Sequence, residues 1–387
     1  MDTKTAAQQR IAEAREDLTD LSHRIHAHPE VGWEEEHASS WLAETLDAAG
    51  FAVQAGVYDL PTAFIARAGN GPLHVAICAE YDALPGIGHA CGHNIIAAMA
   101  VGAGLAAARV ADEVGLTITI VGTPAEEVGN AGGKILLLER GAFADAHMAM
   151  MVHPSTFDAV ARPYLAASAF HVRYRGKAAH AAASPEQGIN AADALVVAQT
   201  AIGLLRQHIR PTDRIHGIVT KGGDAPNIVP ADTAASYMVR AQTVEDLGQI
   251  HARVLRCFEA GAMATGATLE ITGGDRPYAQ VQHDPEISAI YQRNAEACGR
   301  SFALPPGQAQ RGSASTDMGN VSLALPAIHP NIGINSYPAT NHQPEFAAHC
   351  VTEDADRALV DGATAMAWTA IDLASDERLR ARLVSRS

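Results

Sequence analysis

The densest run of chemically capable side chains is Glu80-Tyr81-Asp82-Ala83-Leu84-Pro85-Gly86-Ile87-Gly88-His89-Ala90-Cys91-Gly92-His93-Asn94. A thiol, imidazoles and carboxylates gathered in one loop offer the ligand set of a zinc-like ion. Cys-x-His alone is a weak signal, since buried Cys and hydrogen-bonded His are commoner than ligands. Two later segments change the balance. Thr123-Pro124-Ala125-Glu126-Glu127 sets two carboxylates side by side, a pair suited to dividing cation binding from proton transfer. Met151-Val152-His153-Pro154 adds another imidazole.

All three segments close β-type runs, and in an open α/β sheet ligands bind beyond the carboxyl ends of the strands. The elements that must position them can be read from periodicity. Apolar residues at helical spacing from Ile11 to Ile25 open the chain, and a second helix runs from about Glu34 to Ala49, before Gly50. Strands are expected at Ala63–Ala68, His74–Ala79, Leu116–Val121 and His147–Val152. An Ala-rich buried helix at Asn94–Arg109 and another near Gly133–Arg140 alternate with them, which indicates βαβ units and a parallel or mixed sheet.

Beyond Arg162 the rhythm changes to strand Ala169–Arg175, helix Ile189–Ile209, strands Arg214–Thr220 and Ala234–Ala241, helix Val244–Thr265 and strand Ala267–Thr272. This β-α-β-β-α-β order is ferredoxin-like. With 387 residues, two domains are expected. The fold class is therefore α/β, a mixed-sheet catalytic domain (residues 1–165 and 278–387) interrupted by a smaller inserted one (166–277). A final helix spans Glu353–Leu373.

A net charge of −15 argues against nucleic acid as a partner. Five scattered cysteines (Cys78, Cys91, Cys257, Cys298, Cys350) fit a reducing compartment better than a disulfide framework. Met1-Asp2-Thr3-Lys4 leads into a polar amphipathic stretch, not an apolar signal core, and the Ala-rich helix is too short to span a bilayer. The expectation is a cytoplasmic protein with no membrane partner. Three loops add polar groups: Gly176-Lys177-Ala178-Ala179-His180, Ala225-Pro226-Asn227-Ile228-Val229-Pro230 and Ala339-Thr340-Asn341-His342. Among 18 histidines none of these persuades by itself.

Together, and in this order from His26-Ala27-His28-Pro29-Glu30 to His342, these segments resemble the M20 family of metallopeptidases and amidohydrolases. Asp82-Ala83-Leu84-Pro85, Ala90-Cys91-Gly92-His93, Pro124-Ala125-Glu126-Glu127 and Asn227-Ile228-Val229-Pro230 resemble its aminoacylase-like branch with a Cys-Gly-His loop. Glu80-Tyr81-Asp82 and Cys-Gly-His-Asn further resemble the p-aminobenzoyl-glutamate hydrolase and β-alanyl dipeptidase-like subgroup. The resemblance implies two divalent metal ions, Zn or Mn with Co or Ni as alternatives, held by Cys91, His93, Glu127, His153 and His342, with Cys91 bridging. It implies Glu126 as general acid/base and Asp82 as a carboxylate beside the metals. His180 and Asn227 would reach over the substrate carbonyl across a homodimer interface formed by the inserted lid and dimerisation domain. Two positions depart from the pattern: Asn94 stands where most Cys-Gly-His members have Asp, and Glu80 where other branches carry a His ligand.

The implied activity is hydrolysis of an amide bond in a small N-acyl or N-aminoacyl amino acid. Arg240 and Arg311 are candidates to hold its carboxylate through paired N–H donors, although either is as readily a structural ion pair. Ser313 to Asn320 either line the pocket or cap a helix. Two rival readings stand beside this one. Cys91 activated by His93 would make a nucleophilic hydrolase, but it leaves Glu127, His153 and His342 without a role. A non-catalytic metal-binding dimer of the same fold would have no need to keep Glu126.

Overall fold

The computed structural model describes residues 2–303 and 314–385, which leaves Arg311 and Ser313 outside the described residues. The chain opens with helix α1 (Thr3–Ala27), capped by Asp2, whose side chain accepts the Thr5 N–H. Its buried stripe is Ile11, Leu18, Leu21 and Ile25. There follow α2 (Glu36–Ala48), β1 (Ala52–Ala55), β2 (Phe64–Ala68), β3 (Leu73–Glu80), α3 (His93–Ala108) and the single turn α4 (Ala111–Val114). Next come β4 (Leu116–Thr123), α5 (Gly133–Glu139), β5 (Met148–Met150) and β6 (His153–Ser155). The single strand expected at His147–Val152 is thus cut short: β5 stays in the main sheet while β6 leaves it for a separate ladder.

Residues 166–273 build a second sheet from β7 (Ala166–Arg175), α6 (Ala191–Leu205), β8 (Arg214–Lys221), β9 (Asp232–Ala241), α7 (Val244–Thr265) and β10 (Thr268–Gly273). Its strand order is β10-β7-β9-β8, antiparallel throughout. Period-2 alternation in β7 and β9 sends Phe170, Val172, Tyr174, Tyr237 and Val239 against Val254 and Phe258 of α7. Helix α6 starts later than periodicity suggests. Ile189 pairs with Lys177, and Asn190 then caps the helix through the Ala192 and Asp193 N–H groups.

The chain then adds α8 (Pro285–Ala297), α9 (Met318–Ala324), β11 (Ala327–Ile328), β12 (Asn331–Gly333), α10 (Pro344–His349), α11 (Glu353–Ser375) and α12 (Glu377–Val384). Strand β11 completes the main sheet, order β1-β2-β4-β3-β5-β11, while β12 pairs with β6. The main sheet is mixed: β4, β3, β5 and β11 run parallel, and β2 lies antiparallel to β4. Both faces are covered, as parallel strands require. Val75 and Ile77 of β3 point into the core shared with α1, α3 and α11, whereas Ala76 and Cys78 point into a core with Leu137, Phe143 and Val321. Helices α1 and α11 flank α3 and are tied to each other: Lys4 Nζ lies 2.7 Å from Asp372 Oδ2, and Trp368 Nε1 donates to the Lys4 carbonyl at 2.9 Å. No helix among the described residues is long and apolar enough to cross a membrane.

Every residue of α3 from His93 to Ala107 is buried. Gly104 lets it settle on the sheet, because a Cβ there would sit 2.8 Å from Ile120 Cδ1. Overpacking of this kind costs about 1–3 kcal/mol, so Gly104→Val is expected to lower the thermal-unfolding midpoint. An unchanged midpoint would mean that α3 and β4 have slack between them.

A candidate metal centre at the strand ends

The main sheet delivers its reactive side chains to one edge. Strand β3 ends at Glu80 and Asp82 follows; β4 ends just before Glu126 and Glu127; β6 begins with His153. Gly92, left-handed at φ 80°, turns the Cys91 loop into α3, and a Cβ there would stand 3.0 Å from Pro154. His342 joins from the distant loop before α10, held by its N–H donating to the Ala90 carbonyl at 2.8 Å.

Cys91 Sγ lies 3.5 Å from His153 Nε2 and 3.5 Å from His342 Nε2. Glu127 Oε1 is 3.3 Å from His342 Nε2 and 3.9 Å from His93 Nε2. Donor atoms of Cys91, His93 and His153 fall within 4.8 Å of one another, as do those of Cys91, Glu127 and His342. The two groups share the thiol. Glu126 falls in a third group with His93 and Glu127. Neighbours orient the imidazoles: His93 Nδ1 faces the Asp82 carbonyl at 2.8 Å and its Oδ1 at 3.0 Å, and His153 Nδ1 faces the Pro154 carbonyl at 2.8 Å. With hydrogens on the Nδ1 atoms, both Nε2 lone pairs turn inward. Asp82 also accepts the Glu127 N–H at 2.8 Å, so one buried carboxylate sets two candidate ligands.

These residues suit a divalent cation. His93 Nε2 and Glu127 Oε1 are buried without a hydrogen-bond partner among the described residues. Burial, reinforced by Glu127, pushes the Cys91 thiol well above its ordinary range. Burial, reinforced by Glu80, likewise raises Glu126. A cation among them would reverse both effects, because it would supply the charge that solvent cannot.

Sequence reasoning missed the residues that hold this cluster in place. Glu35, fully buried, accepts the Ala125 N–H at 2.7 Å. Ala125 is a non-glycine residue at φ 55°, immediately before Glu126, so this carboxylate pins a left-handed backbone. Glu30 works beside it: its carbonyl accepts the Ala83 N–H at 2.7 Å, and its side chain caps α2 through the His37 and Ala38 N–H groups. Buried Lys134 pairs with Glu80 and, at 2.6 Å, with Asp317. Tyr278 donates to the Glu126 carbonyl at 2.6 Å. None carries a local signature.

Beside the cluster lies a cleft of about 980 Å³, lined by Cys91, Glu126, Glu127, His153 and His342 together with Arg240 and Tyr278. Arg240 donates to Ser315 Oγ at 2.6 Å. His180 and Asn227 are not brought to it. They sit together on the tip of the second sheet, exposed, with the Ala181 N–H donating to the Asn227 carbonyl at 3.0 Å and His180 Nδ1 accepting from Ala182 and Ala183. Arg311 lies outside the described residues.

Comparison with known proteins adds an independent line. The model of peptidase family M20/M25/M40 matches residues 76–368. The chain is 38% identical to the Xaa-Arg dipeptidase of Homo sapiens, over 94% of this chain and 87% of that protein. It is 35% identical to one of the p-aminobenzoyl-glutamate hydrolase subunits of Escherichia coli (strain K12), over 66% of this chain and 57% of that protein. Among solved structures it resembles a dinuclear metal-binding peptidase of the M20 family from Bacillus subtilis, with TM-score 0.69, 21% identity and coverage of 94% and 99%. It also resembles an aminobenzoyl-glutamate utilization protein from Klebsiella pneumoniae, with TM-score 0.70, 18% identity and coverage of 93% and 97%. At these identities the solved structures speak for the fold.

The Glu35–Ala125 clamp can be tested apart from metal binding. Glu35→Ala is expected to leave bound metal unchanged while turnover falls about 10²-fold, the usual penalty for misplacing a catalytic group by an ångström. Glu35→Gln keeps an acceptor oxygen and should restore most of the loss. Loss of metal in Glu35→Ala would instead assign the residue to the ligand cluster.

Proposed function

The chain belongs to peptidase family M20/M25/M40 and is a hydrolase of amide bonds, and we propose that it cleaves small N-acyl or N-aminoacyl amino acids with two divalent metal ions. The observation that carries this reading is the pair of three-residue donor groups sharing Cys91, with Glu126 alongside. Cys91, His93 and His153 would hold one ion, and Cys91, Glu127 and His342 the other. Zn or Mn suits this mixture of thiolate, imidazole and carboxylate, and Co or Ni is compatible with it. Such ions supply Lewis acidity, polarising a carbonyl and making a water molecule acidic near neutral pH.

The remaining chemistry falls to the chain. Glu126 accepts a proton from the attacking water at a carboxylate oxygen and returns it to the amine nitrogen as the C–N bond breaks. Its placement is supported by Tyr278 on its carbonyl and by Glu35 on the preceding residue. Asp82 keeps His93 in the Nδ1–H tautomer. Arg240 takes the substrate carboxylate, with Ser315 steadying its guanidinium. A cleft of about 980 Å³ accommodates a dipeptide-sized molecule.

His180 and Asn227 act on a second copy of the chain, donating to the oxyanion from across a homodimer. Their exposure and their distance from this chain's own cleft support that assignment. So do the exposed apolar residues Val196 and Leu204 of α6 and Ile218 and Val219 of β8, which present a face for pairing. We read residues 166–277 as the ferredoxin-like lid and dimerisation domain inserted between residues 1–165 and 278–387. Its separate hydrophobic core and its β10-β7-β9-β8 order support this division. All five cysteines are free, which suits a cytoplasmic setting.

Hydrolysis of p-aminobenzoyl-glutamate, β-alanyl-lysine and N-acetyl amino acids, before and after chelation and metal add-back, tests the reaction. Cleavage that vanishes with chelator and returns with one metal is the expected result; chelator-resistant cleavage abolished by thiol alkylation would favour a Cys91 nucleophile. Glu126→Gln should keep its metal and lose activity by orders of magnitude. Shared sites are tested by mixing Glu126→Gln with His180→Ala, each inactive alone. Exchange of protomers should restore about a quarter of wild-type activity, since each mixed dimer holds one intact site. No recovery after demonstrated exchange would put His180 in its own chain's cleft.

A further inference from the structure

A third group of metal-type donors lies beside the two already described. Carboxylate oxygens of Glu80, Glu126 and Asp317 fall within 4.8 Å of one another. All three residues are buried, and among them Glu126 alone lines the cleft. The set is oxygen throughout, with no thiol or imidazole, which is what a hard divalent cation prefers. Glu126 belongs both to this group and to the one with His93 and Glu127. An ion among Glu80, Glu126 and Asp317 would therefore take the carboxylate that has to carry a proton.

Lys134 fills the group instead. Its Nζ pairs with Glu80 and, at 2.6 Å, with Asp317 Oδ1. Asp317 stands at the N-cap of α9 but its side chain makes no cap hydrogen bond; its other oxygen accepts the Lys134 N–H at 2.9 Å. The turn before the lysine is shaped for this approach. A Cβ on Gly132 would sit 2.5 Å from Asp317 Oδ2, and one on Gly133 would collide with the Pro124 carbonyl oxygen. Burial by itself would strip the proton from Lys134, but Asp317, Glu80 and Glu126 outweigh it and hold the ammonium well above its ordinary range. The chain thus carries its own fixed cation among these acids.

We infer that Lys134 is a positioning residue that seals the third group: its ammonium takes the place of a metal ion, fixes the ion count at two and leaves Glu126 free for proton transfer. This rests on the two-ion hydrolase reading and adds what limits the count. A lysine suits the task, because its ammonium is a compact charge with three donors, tethered to the chain.

The test counts metal. Wild-type protein and Lys134→Gln are loaded with excess Mn²⁺, freed of unbound ion by gel filtration and assayed by plasma mass spectrometry. Expected are about two ions per chain in the wild type and about three in Lys134→Gln, with Lys134→Arg returning to the wild-type count. A lysine with a merely structural role would give the opposite result, a loss of metal. An unchanged or lower count in folded Lys134→Gln overturns the inference. Adding Glu126→Ala to Lys134→Gln should lower the count again, and a count that stays raised would remove Glu126 from the third group.

Loss of one member of a buried ion pair can also prevent folding. Lys134→Gln should then be soluble only when produced with Mn²⁺, and insolubility both with and without it overturns the inference. A wild-type count other than two would fail the two-ion reading, while the difference between variant and wild type still decides the role of Lys134.

Discussion

Everything at the strand ends depends on keeping negative charge out of water without leaving it unpaired. Glu35, Glu80, Asp82, Glu126 and Asp317 are all buried in one small region, with Glu127 close behind. Isolated, each ionised carboxylate there would be prohibitively costly. The structure meets the cost with cations and backbone N–H groups. Lys134 neutralises Glu80 and Asp317, His93 and a backbone N–H satisfy Asp82, and the Ala125 N–H satisfies one oxygen of Glu35. What is left over, the Cys91 thiol and the Glu126 and Glu127 carboxylates, faces the cleft. The protein has placed its remaining donor groups where an exogenous cation can reach them.

Glu80 illustrates that division. Its side chain lies near His93, at 3.5 Å, and pairs with buried Lys134, so it is half of an ion pair at the edge of the donor groups. Removing one member of such a pair is more damaging than replacing both. Lys134 and Asp317 are therefore bound into the site's electrostatics although neither faces substrate.

The helices and central strands were legible because burial follows period: α1 and α7 carry clear stripes, and β7 and β9 alternate residue by residue. The short strands β1, β6, β11 and β12 were not, since pieces of two to four residues hold no period to detect. Cys91, His93, Glu127, His153 and His342 were named from the sequence, and the fold gathers them. Glu35, Lys134 and Tyr278 escaped because their partners lie 90, 183 and 152 residues away, at Ala125, Asp317 and Glu126. Such pairings exist only once the topology is known.

The pairing of α1 with α11 across α3 bears on how the molecule comes into being. Helix α3 is buried on every side, and one of those sides is supplied by residues 353–375. The last strand of the main sheet and His342 also arrive late. A ribosome that has delivered the first three hundred residues has therefore produced a chain whose central helix is still uncovered and whose donor set is one imidazole short. Folding of this part cannot close co-translationally from the N-terminus. Helices α1 and α11 must meet before the core is sealed, which makes the arrival of residues 327–375 a checkpoint on both burial and metal capture.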